Sequence, residues 1–193
     1  TMEWWINIDD DGEGSVGNIA SKTVWSVRTI QDNGSLYRLQ FNMNFSGTNG
    51  SWSTVDRELT LGKWHHIAIT YSGANVANDP TFYIDGKRVL LSEDTTPVGT
   101  AASDSGSDLI LGNQGDDSAT LNGRMAIFRI FNDTRTESEI RADMFNDFSS
   151  MANTGNLQLM YQFDEGTGTS IDDVSSSSNV GTITVGSSAW AGA

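Results

Sequence analysis

Two kinds of residue in this chain could do chemistry: carboxylates gathered in loops, and aromatic rings on strands. Asp9, Asp10, Asp11, Gly12 and Glu13 run together. Hard cations such as Ca²⁺ take about six to eight oxygen ligands. Carboxylates at Asp9, Asp11 and Glu13 could converge on one ion if the segment turns, which makes it the leading calcium candidate. It is not an EF-hand, because the twelfth-position Glu and the flanking helices are absent. Asp116 and Asp117 form a second acidic pair beside Gly115, and Asp172 and Asp173 a third. His65 and His66 are neighbours on a strand, so they point to opposite faces and cannot chelate one ion as a pair.

Aromatic rings stack on sugar faces and bind neutral glycans without needing charge. Trp5, Trp25, Tyr37 and Trp52 are the candidates, although a sandwich also buries alternate strand positions in its core. Trp5 stands apart. Met2, Trp4, Ile6 and Ile8 form an apolar stripe with period two, which places Glu3, Trp5 and Asn7 on the face opposite the core. Glu3, Trp5, Asn7, Trp25, Tyr37 and Trp52 are therefore the expected ligand-binding residues.

Catalytic signatures are missing. Glycosidic cleavage needs two carboxyl groups about 5–10 Å apart, and no strand carries the alternating acids that would supply them. There is no G-x-S-x-G, no H-E-x-x-H and no Cys. The chain is expected not to be an enzyme. A hydrolase remains the alternative if the fold brings Glu3 and another carboxylate into one cleft.

Charge narrows the partners. Eleven basic against 25 acidic residues give a net charge of −14. Such a surface repels phosphates and anionic membranes, so no nucleic acid and no membrane insertion are expected. No apolar run approaches the ~20 residues of a membrane span. The chain starts at Thr1 without a signal peptide, which suggests a piece of a longer polypeptide with other domains. The lack of Cys excludes disulfides, so the core must hold the fold, with metal as a further aid.

The elements that must position these groups read as strands. Gly, Ser, Thr and Asn supply about 40% of the chain, a turn-rich composition. Strands are expected at 1–8, 23–30, 36–45, 52–61, 64–71, 81–91 as a hairpin turning at Asp85-Gly86, 108–112, 123–131, 157–163 and 182–185. Asn33-Gly34 marks another hairpin turn. The segments 9–18 and 92–107 read as loops. One helix is expected over 137–147, opened by the capping box Thr136 to Glu139, with Ile140 and Met144 on one face. Short strands at this spacing with one late helix describe an all-β antiparallel sandwich or jelly roll.

The segment Leu61-Gly62-Lys63-Trp64-His65-His66-Ile67-Ala68 resembles the LGxWHHVA strand of laminin-G-like, concanavalin A-like jelly rolls. YIDGK at 83–87, LILGN at 109–113, residues 122–144 and LMYQFDEGTGTSIDD at 159–173 resemble four further motifs of that family, in the same order. Ala126 and Ile127 stand where the family carries acids. The resemblance implies one two-sheet domain over 1–193, with 148–193 returning as strands onto the sandwich. It implies a non-catalytic, extracellular or cell-surface recognition module, binding a glycan or other cell-surface ligand, Ca²⁺-assisted, in a bacterial adhesin or secreted multidomain protein. A protein- or peptide-binding module, or a structural spacer, is the alternative. Trp64, which opens the most family-like strand, is expected to serve packing.

Overall fold

A computed structural model describes residues 1–10, 12–31, 37–55, 59–116, 118–152 and 154–184. Among them two six-stranded antiparallel sheets face each other, the jelly-roll sandwich that the motif order implies. The strands are β1 (Met2–Ile8), β2 (Val16–Lys22), β3 (Trp25–Gln31), β4 (Tyr37–Met43), β5 (Gly50–Thr54), β6 (Trp64–Thr70), β7 (Thr81–Ile84), β8 (Lys87–Arg88), β9 (Leu91–Thr95), β10 (Ile110–Leu111), β11 (Gly123–Phe131) and β12 (Leu157–Tyr161). The first sheet runs β12-β11-β1-β6-β7-β8 and the second β10-β2-β3-β4-β5-β9. Two short strands, β13 (Ser170–Ile171) and β14 (Gly181–Thr182), form a separate ribbon.

The core lies where the apolar stripes meet. Trp4, Ile6 and Ile8 of β1, Ile67 and Ile69 of β6 and Phe128 of β11 pack against Val27, Leu39, Phe41 and Trp52 from the second sheet. Trp4 stacks on Phe128 and Phe41 on Trp52. The tail joins this core, because β12 pairs with β11 and buries Leu157, Leu159, Met160 and Tyr161.

Several segments differ from the sequence reading. β2 lies partly in the segment expected to be a loop, and its small residues and the bulge between Asn18 and Ala20 hide the alternation. β5 ends at Thr54 rather than near residue 61, and β9 occupies part of the expected loop 92–107. The expected turn at Asn33-Gly34 and the end of the last strand at Val185 lie outside the described residues.

The helix α1 (Glu137–Asp143) is shorter than expected but starts as read. Thr136 Oγ1 accepts from the Glu139 amide, and the Thr136 amide donates to Glu139 Oε2 at 2.8 Å. α1 lies on the outer face of the first sheet, where Ile140 packs against Ala68 and Tyr83.

The hairpin joining β7 to β8 abuts this helix. Asp85 and Gly86 both take left-handed backbone angles, φ 52° and 70°, as a two-residue primed turn requires. A Cβ on Gly86 would lie 2.8 Å from Arg141 Cγ and 3.2 Å from Met144 Sδ. The Arg141 stem is flexible, so the backbone angle dominates the cost. Gly86→Ala should destabilise by about 1–2 kcal/mol in denaturant melts. An unchanged midpoint would show that the turn relaxes freely.

Candidate functional site

The outer face of the second sheet is polar. Register places Asn18 beside Arg28, Arg28 beside Gln40 and Gln40 beside Ser53, with Ser21, Ser26, Asn42 and Ser51 forming the next row. The opposite positions of the same strands, Val27, Leu39 and Phe41, carry the core. A groove of about 720 Å³ crosses this face. Its floor includes Asn18, Ser26, Arg28 and Asn42, and its walls include Trp25, Asn44, Asp108, Gln114 and Asp116.

Two groups in this groove lack the partner their chemistry asks for. Arg28 donates through Nε and Nη2 to Gln40 Oε1, at 2.8 and 2.6 Å. It makes no ion pair among the described residues, in a chain of net charge −14, and burial draws its pKa below the usual arginine value. Asn18 is 2% exposed. Its amide nitrogen donates to Gln114 Oε1 at 3.1 Å, while its Oδ1 is buried with no hydrogen-bond partner. An orphaned buried acceptor costs about 1–3 kcal/mol. The floor thus offers an uncompensated donor and an unfilled acceptor, held on strands.

The six expected ligand residues separate into different environments. Trp25 stays at the groove, half-buried, its indole N–H donating to Asp104 at 3.3 Å. Tyr37 and Trp52 are corrected to core residues, 3% and 1% exposed, because their strand positions face inward. The Trp52 indole N–H is satisfied by Asp79 at 2.9 Å. Glu3 lies on the face read from the sequence, yet α1 covers that face and leaves Glu3 0% exposed, so it has no surface to offer a ligand. Trp5 is half-covered by the residue that ends α1, its indole N–H donating to Met144 O at 2.7 Å. Asn7 sits near the uncovered end of β1.

Under α1, five ionisable groups meet. Arg135 bonds Glu3 at 3.2 Å and Asp143 at 2.5 Å. Arg129 stands 3.6 Å from Glu3 and donates to the main-chain oxygens of Asp143 and Asn146. His66 completes the group, 3.8 Å from Glu3. The fold therefore does bring Glu3 near a second carboxylate, but sealed and shared with Arg135 rather than open in a cleft. Sequence reading missed this cluster because its members are spread from residue 3 to residue 143.

The described members of the expected calcium set each have a protein partner. Asp9 pairs with Arg124 at 3.1 Å, Asp10 caps the Gly12 amide and accepts from Asn122, and Glu13 accepts from Thr120. Asp116 accepts from its neighbour Ser118. Among the described residues no three acids or histidines are grouped as a metal would need. Asp11 and Asp117 lie outside the described residues. The described donor set does not fit a calcium ion.

Comparison with known proteins agrees with the architecture. The family model of the concanavalin A-like lectin/glucanases superfamily matches residues 1–141. The chain belongs to this superfamily. Sixteen chains of solved structures match it. One, a "putative carbohydrate binding protein" from Bacteroides ovatus ATCC 8483, superposes with a TM-score of 0.67 at 22% identity. The match covers 94% of this chain and 50% of that one, so this chain spans about half the length of its neighbour. At that identity the likeness is one of fold. None of the curated proteins compared with the chain is similar to it. Within the concanavalin A-like sandwich seen here, the groove lies on the sheet that α1 leaves bare.

Proposed function

We propose that this chain is a non-catalytic carbohydrate-recognition module whose ligand lies in the groove of the second sheet. The observation that carries the reading is the pairing of Arg28, a guanidinium with no carboxylate partner among the described residues, with the unfilled Oδ1 of Asn18. A saccharide presents hydroxyls that both accept and donate, so one ligand can accept from Arg28 and, once the Asn18 side chain shifts to expose its Oδ1, donate to it, and the edge of Trp25 adds apolar contact. Membership of a superfamily of lectins and glucanases, and the name of the Bacteroides neighbour, support the ligand class. Glu3 and Asp143, paired with Arg135 beneath α1, support a binding role rather than hydrolysis. The proposed contacts need no calcium. The acidic, cysteine-free composition and the double length of the neighbour suit one module of a secreted or cell-surface bacterial protein, such as an adhesin, whose partners would be glycans and its own further domains.

A glycan array followed by calorimetry tests this. Arg28→Ala should weaken the best ligand at least about tenfold, the value of one charge-assisted hydrogen bond, with little change in melting temperature. Full affinity in that variant would overturn the groove as the site. Reducing-sugar release by the wild type would overturn the non-catalytic reading. Binding to a peptide library, with the glycan array silent, would favour a protein-binding module.

A further inference from the structure

Three cross-strand rows make up part of the outer face of the first sheet. They are Ala68–Glu3–Arg129, His66–Trp5–Ala126 and Trp64–Asn7–Arg124. Side chains in such a row stand about 5 Å apart at Cβ. Ile140 and the main chain of Asp143 cover the first row. Met144 and Phe145 cover the second, with the Phe145 ring 5.3 Å from Trp5. The helix and the two residues after it do not reach the third row.

The expected packing role of Trp64 is corrected here. Its ring is 45% exposed, because α1 stops short of it. Beside it, Asn7 is 6% exposed, and its Oδ1 is buried without a hydrogen-bond partner. On the far side of Asn7, Arg124 is already held by Asp9. An accessible indole next to an unfilled amide acceptor is an arrangement that a sugar ring satisfies twice. Its apolar face covers the indole while one hydroxyl donates to Asn7 Oδ1 once that side chain turns outward. The row's cation is neutralised by Asp9 and the chain is strongly acidic, so an anionic sugar gains nothing there.

We propose that Trp64, Asn7 and Arg124 form a second saccharide subsite, on the sheet opposite the groove, that takes one neutral pyranose. The protein would then present two glycan-binding faces and could bridge two chains.

The test is titration of the intact protein with glucose, galactose, mannose and xylose and their β-linked hexasaccharides. Affinity is read by calorimetry in every variant and, in the intact protein and in Arg28→Ala, also through the Trp64 indole N–H resonance, assigned with Trp64→Phe. A saturable shift is expected with at least one of these sugars. Trp64→Ala should weaken that event at least about tenfold while the protein stays folded at the titration temperature, and Trp64→Phe should hold it within about threefold. Arg28→Ala should leave it untouched. An indole resonance that no sugar moves would overturn the proposal, as would a shift that Arg28→Ala abolishes. An event lost in Trp64→Ala and kept in Arg28→Ala would support this subsite, and a separate event lost only in Arg28→Ala would support the groove beside it. Binding lost only in Arg28→Ala, with no second event, would overturn this subsite and leave the groove.

Discussion

Ending the chain after Ser150 should abolish cooperative folding. That cut removes β12, which supplies the buried side chains of Leu157, Leu159, Met160 and Tyr161 and pairs with β11 from Phe128 to Phe131. Each large apolar side chain stabilises by about 1.5–3 kcal/mol when buried. Four of them amount to about 6–12 kcal/mol, against a total stability of about 5–15 kcal/mol for a domain. The cut also bares the long edge of β11, an invitation to aggregate. The hydroxyl of Tyr161 is tied in turn to Asn179 O at 2.7 Å, so the following segment braces the strand. The family-model match stops at residue 141, which makes a cut near there tempting. Thermal melts of the full and shortened chains decide the matter, and equal midpoints would refute the argument.

The second large effect is acid lability. Burial, followed by the nearby Arg129 guanidinium, draws the pKa of His66 down to about 3. In the unfolded chain the imidazole titrates near 6.5. Between those values the unfolded chain binds a proton that the folded chain refuses. The contribution is therefore complete above pH 6.5 and is lost as pH falls through the window. Between pH 7 and pH 4 the loss is about 3 kcal/mol. Asp143 works in the same direction. Burial pushes its carboxyl up, but Arg135, Ala152 and Asn146 together hold it below its usual value, so its contribution is also lost in acid. Glu3 opposes them. Burial outweighs Arg135 and Arg129 and raises its carboxyl, which favours the folded state at low pH and less so as pH rises. With His66 dominant, the melting temperature should drop by ~6–12 °C from pH 7 to pH 4. His66→Gln should remove most of that drop. An identical pH slope in the variant would show that the imidazole is not the sensor.

The legibility of this chain follows from where its signals are local. The capping box at Thr136 and Glu139 spans four residues and is found as read. The period-two stripe of β1 put Trp4, Ile6 and Ile8 inward and Glu3, Trp5 and Asn7 outward, and the structure agrees. What alternation does not encode is what lies on the outward face. Ile140 and Met144 announce an apolar helix stripe, but not that it settles over Glu3 rather than over the other sheet. The groove could have been found. β3 and β4 alternate apolar Val27, Leu39 and Phe41 with Ser26, Arg28, Gln40 and Asn42, a polar stripe with an arginine and no acid beside it. Carboxylate density in the acidic loop says nothing of partners, and Arg124 stands 115 residues from Asp9.

The position of β1 has a consequence in time. It lies between β6 and β11, and the amino group of Thr1 donates to the carbonyl of Phe131. β1 is made before either of its neighbours and is thus among the last strands of this domain to be paired on both sides. At ~5–20 residues per second, roughly ten seconds pass before β11 emerges. Throughout that interval Trp4 and Ile6 have no finished sheet to enter. The entropy of closing so long a loop is lost before its contacts form, which is the signature of a slow, high-contact-order folder. Such a chain leaves a sticky strand exposed while it grows, and a cell making it in quantity has reason to shield β1.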